Sequence, residues 1–151
     1  MRHSSCILFL SYFAVSLSYF KWASDMVIDD GPTDQDHLHL VQLVNDLHSA
    51  TSEGQGKEVV GQILDQLLAY TADHLSREEQ LMRAAGFPNL ERHQQGHAKF
   101  IAQLHALKQR YDAGSLAVAA QLSAVLRDWL SLHIRRSDKE LLAYLEQKSQ
   151  R

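Results

Sequence analysis

Apolar residues recur every three or four positions along four stretches of the chain, which is the spacing of amphipathic helices. Glycine, proline or short polar segments separate these stretches, and none shows the alternation of a strand. Short connections place successive helices antiparallel. The pattern therefore predicts an all-α fold, an up-down-up-down antiparallel four-helix bundle with an extended N-terminal arm over Trp22–Pro32. The predicted helices cover about Thr33–Ser52, Lys57–Ala85, Asn89–Gly114 and Ser115–His133, and 139–147 continues the last one or forms a short terminal helix.

Capping signals mark several of the predicted helix ends. Thr33 followed by Asp36 resembles a capping box at the start of the first helix, with Asp in place of the usual Glu. Gly86 is expected at the position just after the second helix, and Pro88 prevents that helix from continuing. Asn89 can cap the third helix.

The second predicted helix carries polar groups where apolar ones are expected. His74 and Glu78 stand four residues apart, so they lie on the same face of this helix. A buried carboxylate is costly unless it is paired or bound to a cation. The inward-facing stripe to which both residues belong consists of Val60, Leu64, Leu67, Thr71, His74, Glu78 and Leu81.

The other three helices also direct ligand-type side chains inward: His37 from the first, His93 and His97 from the third, and His133 and Asp138 from the fourth. A single histidine on an apolar face is most often a hydrogen-bonded core residue. Seven such side chains on four converging faces indicate a metal centre, since without a cation they would leave several buried polar groups unpartnered. Seven ligands exceed the needs of one tetrahedral zinc and suit two octahedral ions that share both carboxylates. Histidine and carboxylate ligation without sulfur suits iron and leaves manganese, cobalt or zinc open.

Composition narrows the possible function classes. The 151 residues are 45% hydrophobic and 22% charged, with a formal net charge of -3, which is typical of one soluble domain and argues against nucleic acid as a partner. Cys6 is the single cysteine, so neither an intrachain disulfide nor a thiolate metal site can form. Residues 1–18 are an apolar N-terminal extension, interpreted either as a signal peptide or as a segment outside the fold, with a membrane or partner anchor as a third possibility. The domain is expected to cover 19–147.

Taken in order, the motifs H-x-x-x-E, H-x-x-x-H and H-x-x-x-x-D, preceded by an isolated histidine, resemble the hemerythrin family in its bacterial branch. The resemblance extends over roughly Tyr19–Tyr144. It is carried by the segments D-Q-D-H-L-H-L-V-Q-L-V-N from Asp34, Y-T-A-D-H-L-S-R-E-E-Q-L-M from Tyr70, G-F-P-N-L-E-R-H-Q-Q-G-H-A-K-F from Gly86 and W-L-S-L-H-I-R-R-S-D from Trp129.

The resemblance implies two non-haem iron ions (Fe2+/Fe3+) joined by an oxo or hydroxo bridge. It assigns His93, His97 and His133 to one iron and His37 and His74 to the other, with Glu78 and Asp138 bridging the pair. O2 is expected to bind on the side of His37 and His74.

An apolar pocket for O2 is also implied, walled by Leu130, with Trp129 and Leu75 beside it. Leu75 replaces a phenylalanine that is usual in the family. We expect this smaller side chain to widen the pocket and to speed autoxidation.

Asp138 is the ligand that helical spacing supports least. It follows His133 by five residues, which on an ideal helix separates the two side chains by about 140°. The family has the same spacing, so either a local π-turn or a frayed helix end is expected to return the carboxylate to the ligand face.

Several polar residues are not assigned to the centre. His39, His48 and His105 are expected outside it, and Glu79, about 100° from Glu78 around the helix, is interpreted as solvated. The residues Tyr70 and Thr71 are candidate hydrogen-bond donors around the ligands.

The sequence thus predicts a reversible O2 binder for storage, delivery or sensing, and not an enzyme. A di-iron enzyme acting on nitric oxide, peroxide or iron is the first alternative, and a structural bundle that holds zinc is the second. O2 is the expected ligand, without a nucleic acid or a clear membrane partner. The protein is expected to be a monomer or small homo-oligomer in the cytoplasm, or in the periplasm if 1–18 is a cleaved signal peptide.

Overall fold

The structure, a computed structural model, describes residues 18–150, so the expectations for residues 1–17 lie outside the described residues. The described chain is all-helical, as predicted, and contains no strand within 18–150. Its helices are α1 Pro32–Ser52, α2 Lys57–Ala85, α3 Leu90–Asp112, α4 Val118–His133 and α5 Lys139–Ser149. Helices α1 to α4 form the four-helix bundle, with α1 packed on α2 and α4, and α3 on α2 and α4.

The second helix has the predicted bounds, and its end follows the predicted chemistry. Gly86 has φ of +68°, and its N–H donates to the carbonyl of Arg83 at 3.1 Å. A residue with a side chain is strained in this left-handed conformation, so glycine suits the position. The fourth helix starts at Val118 and not near Ser115, because Ser115 still belongs to the turn after α3.

Two capping predictions were wrong. The capping box at Thr33 does not form, because Pro32 already starts α1 and Gly31 occupies the N-cap. The N–H of Thr33 donates instead to the carboxylate of Asp29 at 3.0 Å, so the first turn is capped from the preceding arm. At the start of α3, Asn89 holds the N-cap position without a side-chain cap, and its amide nitrogen donates to Glu140 of α5.

The arm before α1 is extended, as predicted, apart from a 3₁₀ turn at Ser24–Met26. It is held on α1 at two places. The amide of Asn45 pairs with the backbone of Phe20 through two hydrogen bonds of 2.7 and 3.0 Å. The buried carboxylate of Asp34 accepts from successive backbone N–H groups, those of residues 28–30, at 2.7 to 3.1 Å. These bonds fix the arm beside the start of α1, where His37 lies.

The bundle core divides into an apolar part and a polar part. Leu47, Leu64, Leu104 and Leu122 are fully buried in the apolar part. On α2 the predicted stripe is correct except at its end, since Leu81 is 43% exposed and Met82 is fully buried. The step from Glu78 is therefore four residues and not three, and it places the Met82 side chain against Phe87 and α5.

No helix within residues 18–150 is both long and apolar enough to cross a membrane.

Candidate metal centre

All seven predicted ligand residues are buried, with at most 7% of each residue exposed, and they converge at one end of the bundle core. Helices α1, α2, α3 and α4 supply one or two histidines each, and the carboxylates come from α2 and from the turn after α4. The set is His37, His74, Glu78, His93, His97, His133 and Asp138.

Glu78 and Asp138 lie between the histidines. The Oε2 atom of Glu78 is 3.1 Å from His133 Nε2 and 3.5 Å from His97 Nε2. Asp138 contacts both sides of the cluster, with Oδ1 3.0 Å from His133 Nε2 and Oδ2 3.1 Å from His37 Nε2. Asp138 thus lies between two sets of imidazoles, which is the position that a bridging carboxylate would need, whereas Glu78 contacts His97 and His133 on the same side.

The remaining ligand-type residues complete the two groups. The rings of His37 and His74 lie edge to face with centroids 4.8 Å apart. His93 packs near His97 and His133, with centroid distances of 6.1 and 6.5 Å. The arrangement thus has two imidazoles on one side and three on the other.

A π-helical turn brings Asp138 to the cluster. It covers Ile134–Asp138 and joins α4 to α5 without a break in the helical path. The wider turn offsets the angle of about 140° between positions five apart on an ideal α-helix. Of the two possibilities that the sequence left open, the structure shows the π-turn.

Eight buried polar atoms of these side chains lack a hydrogen-bond partner within residues 18–150. They are His37 Nδ1 and Nε2, His74 Nε2, Glu78 Oε1, His93 Nδ1, His97 Nε2 and both Asp138 carboxylate oxygens. Such atoms are rare in folded proteins because each one costs free energy. Imidazole nitrogens and carboxylate oxygens are also common iron ligands. The residues therefore fit a metal centre.

The ionisation of the cluster shows how strongly burial acts on it. Burial raises the pKa of Glu78 to about 8 and lowers that of His74 to about 4. For His133, burial alone would lower the pKa, but the adjacent Asp138 and Glu78 carboxylates raise it to about 10. The paired His133 likewise holds the pKa of Asp138 well below its usual value, against the effect of burial. The two carboxylates thus stabilise a positive charge on His133, whereas burial disfavours one on His74.

Asp36 is a functional candidate that the sequence analysis missed. Its carboxylate accepts from the Tyr70 hydroxyl at 2.7 Å and from Arg77 at 2.8 and 3.0 Å, and it contacts His74 Nδ1 at 3.3 Å. These hydrogen bonds outweigh the effect of burial and lower the pKa of Asp36. In the sequence, the only hint of this role was that Asp36 is next to His37. Asp36 lies off the inward stripe of α1, and its partners belong to the neighbouring helix α2.

The expectations for Tyr70 and Thr71 have different outcomes. Tyr70 is a donor at the edge of the cluster, acting through Asp36. The Thr71 hydroxyl donates to the Leu67 carbonyl of its own helix at 2.8 Å. Among residues 18–150, Thr71 is therefore a buried helix residue that makes no hydrogen bond to a predicted ligand.

The interpretation of Glu79 as solvated was wrong. One oxygen of its carboxylate lies 2.8 Å from His97 Nδ1, and the other accepts from the Gln94 amide at 3.0 Å. Glu79 does point away from the face of Glu78, but that direction leads to α3, which carries His97. The histidines expected outside the centre do lie outside it, since His39 and His105 are exposed and His48 stacks on Tyr19.

Two of the three residues predicted for the O2 pocket, Trp129 and Leu130, line one small cavity in the core. Its volume is about 10 Å³, which is near the lower limit for one water molecule. It is lined by Leu40, Val44, Leu67, Thr71, Phe100, Leu126, Trp129 and Leu130. Trp129 stacks on Phe100 at 3.7 Å and on His133 at 4.3 Å, so it joins the cavity wall to the ligands. Leu75 is buried in the same core without lining this cavity.

Comparisons with known proteins agree with this geometry. The sequence model of the hemerythrin HHE cation binding domain matches residues 33–145. A bacteriohemerythrin of Stenotrophomonas maltophilia is 33% identical, with 87% of this chain and 82% of the relative covered. One from Methylococcus capsulatus is 30% identical, with 82% and 94% covered. A crystal structure of a hemerythrin with a leucine-to-alanine substitution superposes with a TM-score of 0.76 at 26% identity, covering 85% of this chain and 98% of that one. The chain therefore belongs to the hemerythrin family.

Proposed function

We propose that this protein binds O2 reversibly at a non-haem di-iron centre, for oxygen storage, delivery or sensing. Members of the hemerythrin family are oxygen-binding proteins of non-haem iron and are not enzymes, which supports binding over catalysis. The observation that carries the proposal is the cluster of buried imidazoles and carboxylates whose inward atoms lack partners.

The ligand assignment follows the two groups of imidazoles. His93, His97 and His133 would hold one iron, and His37 and His74 would hold the other. Asp138 contacts a histidine of each group, and Glu78 contacts two histidines of the three-imidazole group. Both carboxylates would bridge the two ions together with an oxo or hydroxo group. The group with only two imidazoles would leave a coordination position free for O2. Two bound ferrous ions would supply the electrons that O2 binding requires.

The donor set favours binding over cleavage of O2. It contains five neutral imidazoles and only two carboxylates, whereas carboxylate-rich di-iron sites take a Glu from each of two helices and a Glu-x-x-His motif from each of the others. Fewer negative ligands stabilise highly oxidised iron less, so the chemistry is expected to stop at bound O2.

The apolar wall protects the bound state. Leu130 is 4% exposed and lies with Phe100 and Trp129 around the small cavity. Such a dry pocket slows the entry of protons and the exchange of water, which would otherwise convert the centre to its oxidised form. Leu75 and the pocket residues remain predicted contributors to this protection.

One experiment on purified protein tests the proposal. Iron per chain is measured, and the visible spectrum is followed through anaerobic reduction, air and argon. Two irons per chain and a colour that appears in air and leaves under argon are the expected result. Oxygen consumption that ends in a stable oxidised spectrum would favour a redox enzyme. Zinc alone after iron-replete expression would overturn both and favour a structural metal site.

The predicted domain 19–147, the monomeric or small oligomeric state and the cytoplasmic location remain predictions.

A further inference from the structure

Two carboxylates contact predicted ligand histidines on the nitrogen that faces away from the cluster, one on each side. Asp36 contacts His74 Nδ1 at 3.3 Å, and Glu79 contacts His97 Nδ1 at 2.8 Å. In both histidines the opposite nitrogen, Nε2, is buried and has no hydrogen-bond partner within residues 18–150. A proton fixed on Nδ1 leaves the Nε2 lone pair free for a metal.

The two carboxylates are equally buried but differ in charge compensation. Their side chains are 20% exposed for Asp36 and 23% exposed for Glu79, so solvent screens both alike. Asp36 pairs with Arg77 at 2.8 Å and also accepts from a tyrosine hydroxyl. Glu79 accepts from His97 and from the neutral amide of Gln94, and no described lysine or arginine lies within 4.0 Å of it. The negative charge behind His97 is therefore the less compensated of the two.

We propose that Glu79 is a positioning residue of the metal centre, which fixes the His97 tautomer and orientation and places the less compensated of the two negative charges behind the three-histidine side. The proposal rests on the proposed function in that it takes His97 as a metal ligand. It follows that Glu79 strengthens metal binding and favours ferric iron, because a negative charge behind an imidazole raises its basicity. Asp36, with its charge offset by Arg77, orients His74 and biases the oxidation state less.

Two substitutions of Glu79 separate orientation from charge. Glu79→Gln retains an oxygen that can accept from His97 Nδ1 but removes the negative charge. Glu79→Ala removes both. Glu91→Gln is the matched control, since it removes one exposed charge from the first turn of α3 without touching a predicted ligand.

Metal affinity is measured first, by anaerobic competition of Co2+ between each variant and a chelator, with the visible cobalt spectrum as a report on coordination. Glu79→Ala is expected to weaken Co2+ binding by about 10- to 100-fold. Glu79→Gln is expected to weaken it by a smaller factor, because the acceptor for His97 Nδ1 is kept and the charge is lost. Equal affinity of the parent protein and Glu79→Ala, with the same cobalt spectrum, would overturn the positioning role.

The charge is tested by the midpoint potential of the iron-loaded protein. Glu79→Gln is expected to shift the ferric–ferrous equilibrium towards ferrous by about tenfold, a rise of about 59 mV for one electron. An unchanged potential would overturn the role of the charge. The cobalt measurement involves no O2, so it tests the role of Glu79 separately from reversible O2 binding. Either proposal can therefore be refuted without refuting the other.

Discussion

Removal of the metal is expected to lower the free energy of unfolding by several kcal/mol. Of the eight buried atoms without hydrogen-bond partners, four still lie within 3.5 Å of another predicted ligand atom; these are His37 Nε2, His97 Nε2 and both oxygens of Asp138. The other four belong to His37, His74, Glu78 and His93. A metal that binds His37 through Nε2, the nitrogen 3.1 Å from Asp138, would leave Nδ1 of the same ring unchanged, so it relieves three of these four atoms. A buried polar atom without a partner costs about 1–3 kcal/mol, so the three account for about 3–9 kcal/mol. The whole stability of a domain is only about 5–15 kcal/mol.

The assay is denaturant unfolding of the same preparation in three states: metal-loaded, stripped by an anaerobic chelator, and reloaded. Circular dichroism gives the free energy of unfolding, and hydrogen exchange locates the change. Protection is expected to fall in the second half of α2 and in the π-turn at Ile134–Asp138, where the ligand-type residues lie. The apolar end of the bundle around Leu64 and Leu122 is expected to keep its protection until global unfolding.

The reasoning would be refuted by equal unfolding free energies, within about 1 kcal/mol, for the loaded and stripped protein. Such a result would mean that the unpartnered atoms find other partners at no cost. Reloading serves as the control, because a loss of stability that metal does not reverse would reflect damage during stripping.

Three further substitutions have expected outcomes. Leu75→Phe is expected to slow autoxidation, measured as the decay of the oxygenated spectrum. Because the site is buried, the larger side chain is also expected to lower the free energy of unfolding by about 1–3 kcal/mol. An unchanged decay rate would contradict the role of Leu75. Tyr70→Phe removes the donor to Asp36 and is expected to lower the unfolding free energy by about 1 kcal/mol in urea, whereas no change would show that this bond adds nothing. Gly86→Ala places a Cβ at a φ of +68° and is expected to lower that free energy by about 1–2 kcal/mol in the same assay; a stabilised variant would be inconsistent with strain there.

The sequence by itself determined the helices and the composition of the candidate site. Helical periodicity depends only on neighbours along the chain, so the bounds of α2, the left-handed Gly86 and the inward direction of the paired histidines could be predicted from spacing. The position of Asp138 was only half determined. A spacing of five residues excluded an ideal helix but left two local geometries open, and the structure shows the π-turn.

Only the tertiary structure decided which residues lie between helices. Asp36 and Glu79 lie off the inward stripes of their own helices, so the pattern of each helix taken alone assigned them no contact with a predicted ligand. They meet His74 and His97 because packing sets the rotation and the axial offset of neighbouring helices. The cap that Asp29 provides to the start of α1 has the same origin, since it depends on where the arm folds back. The spacing of residues along the chain thus determines on which face of its helix a side chain lies. The packing of the helices determines which residues that face contacts.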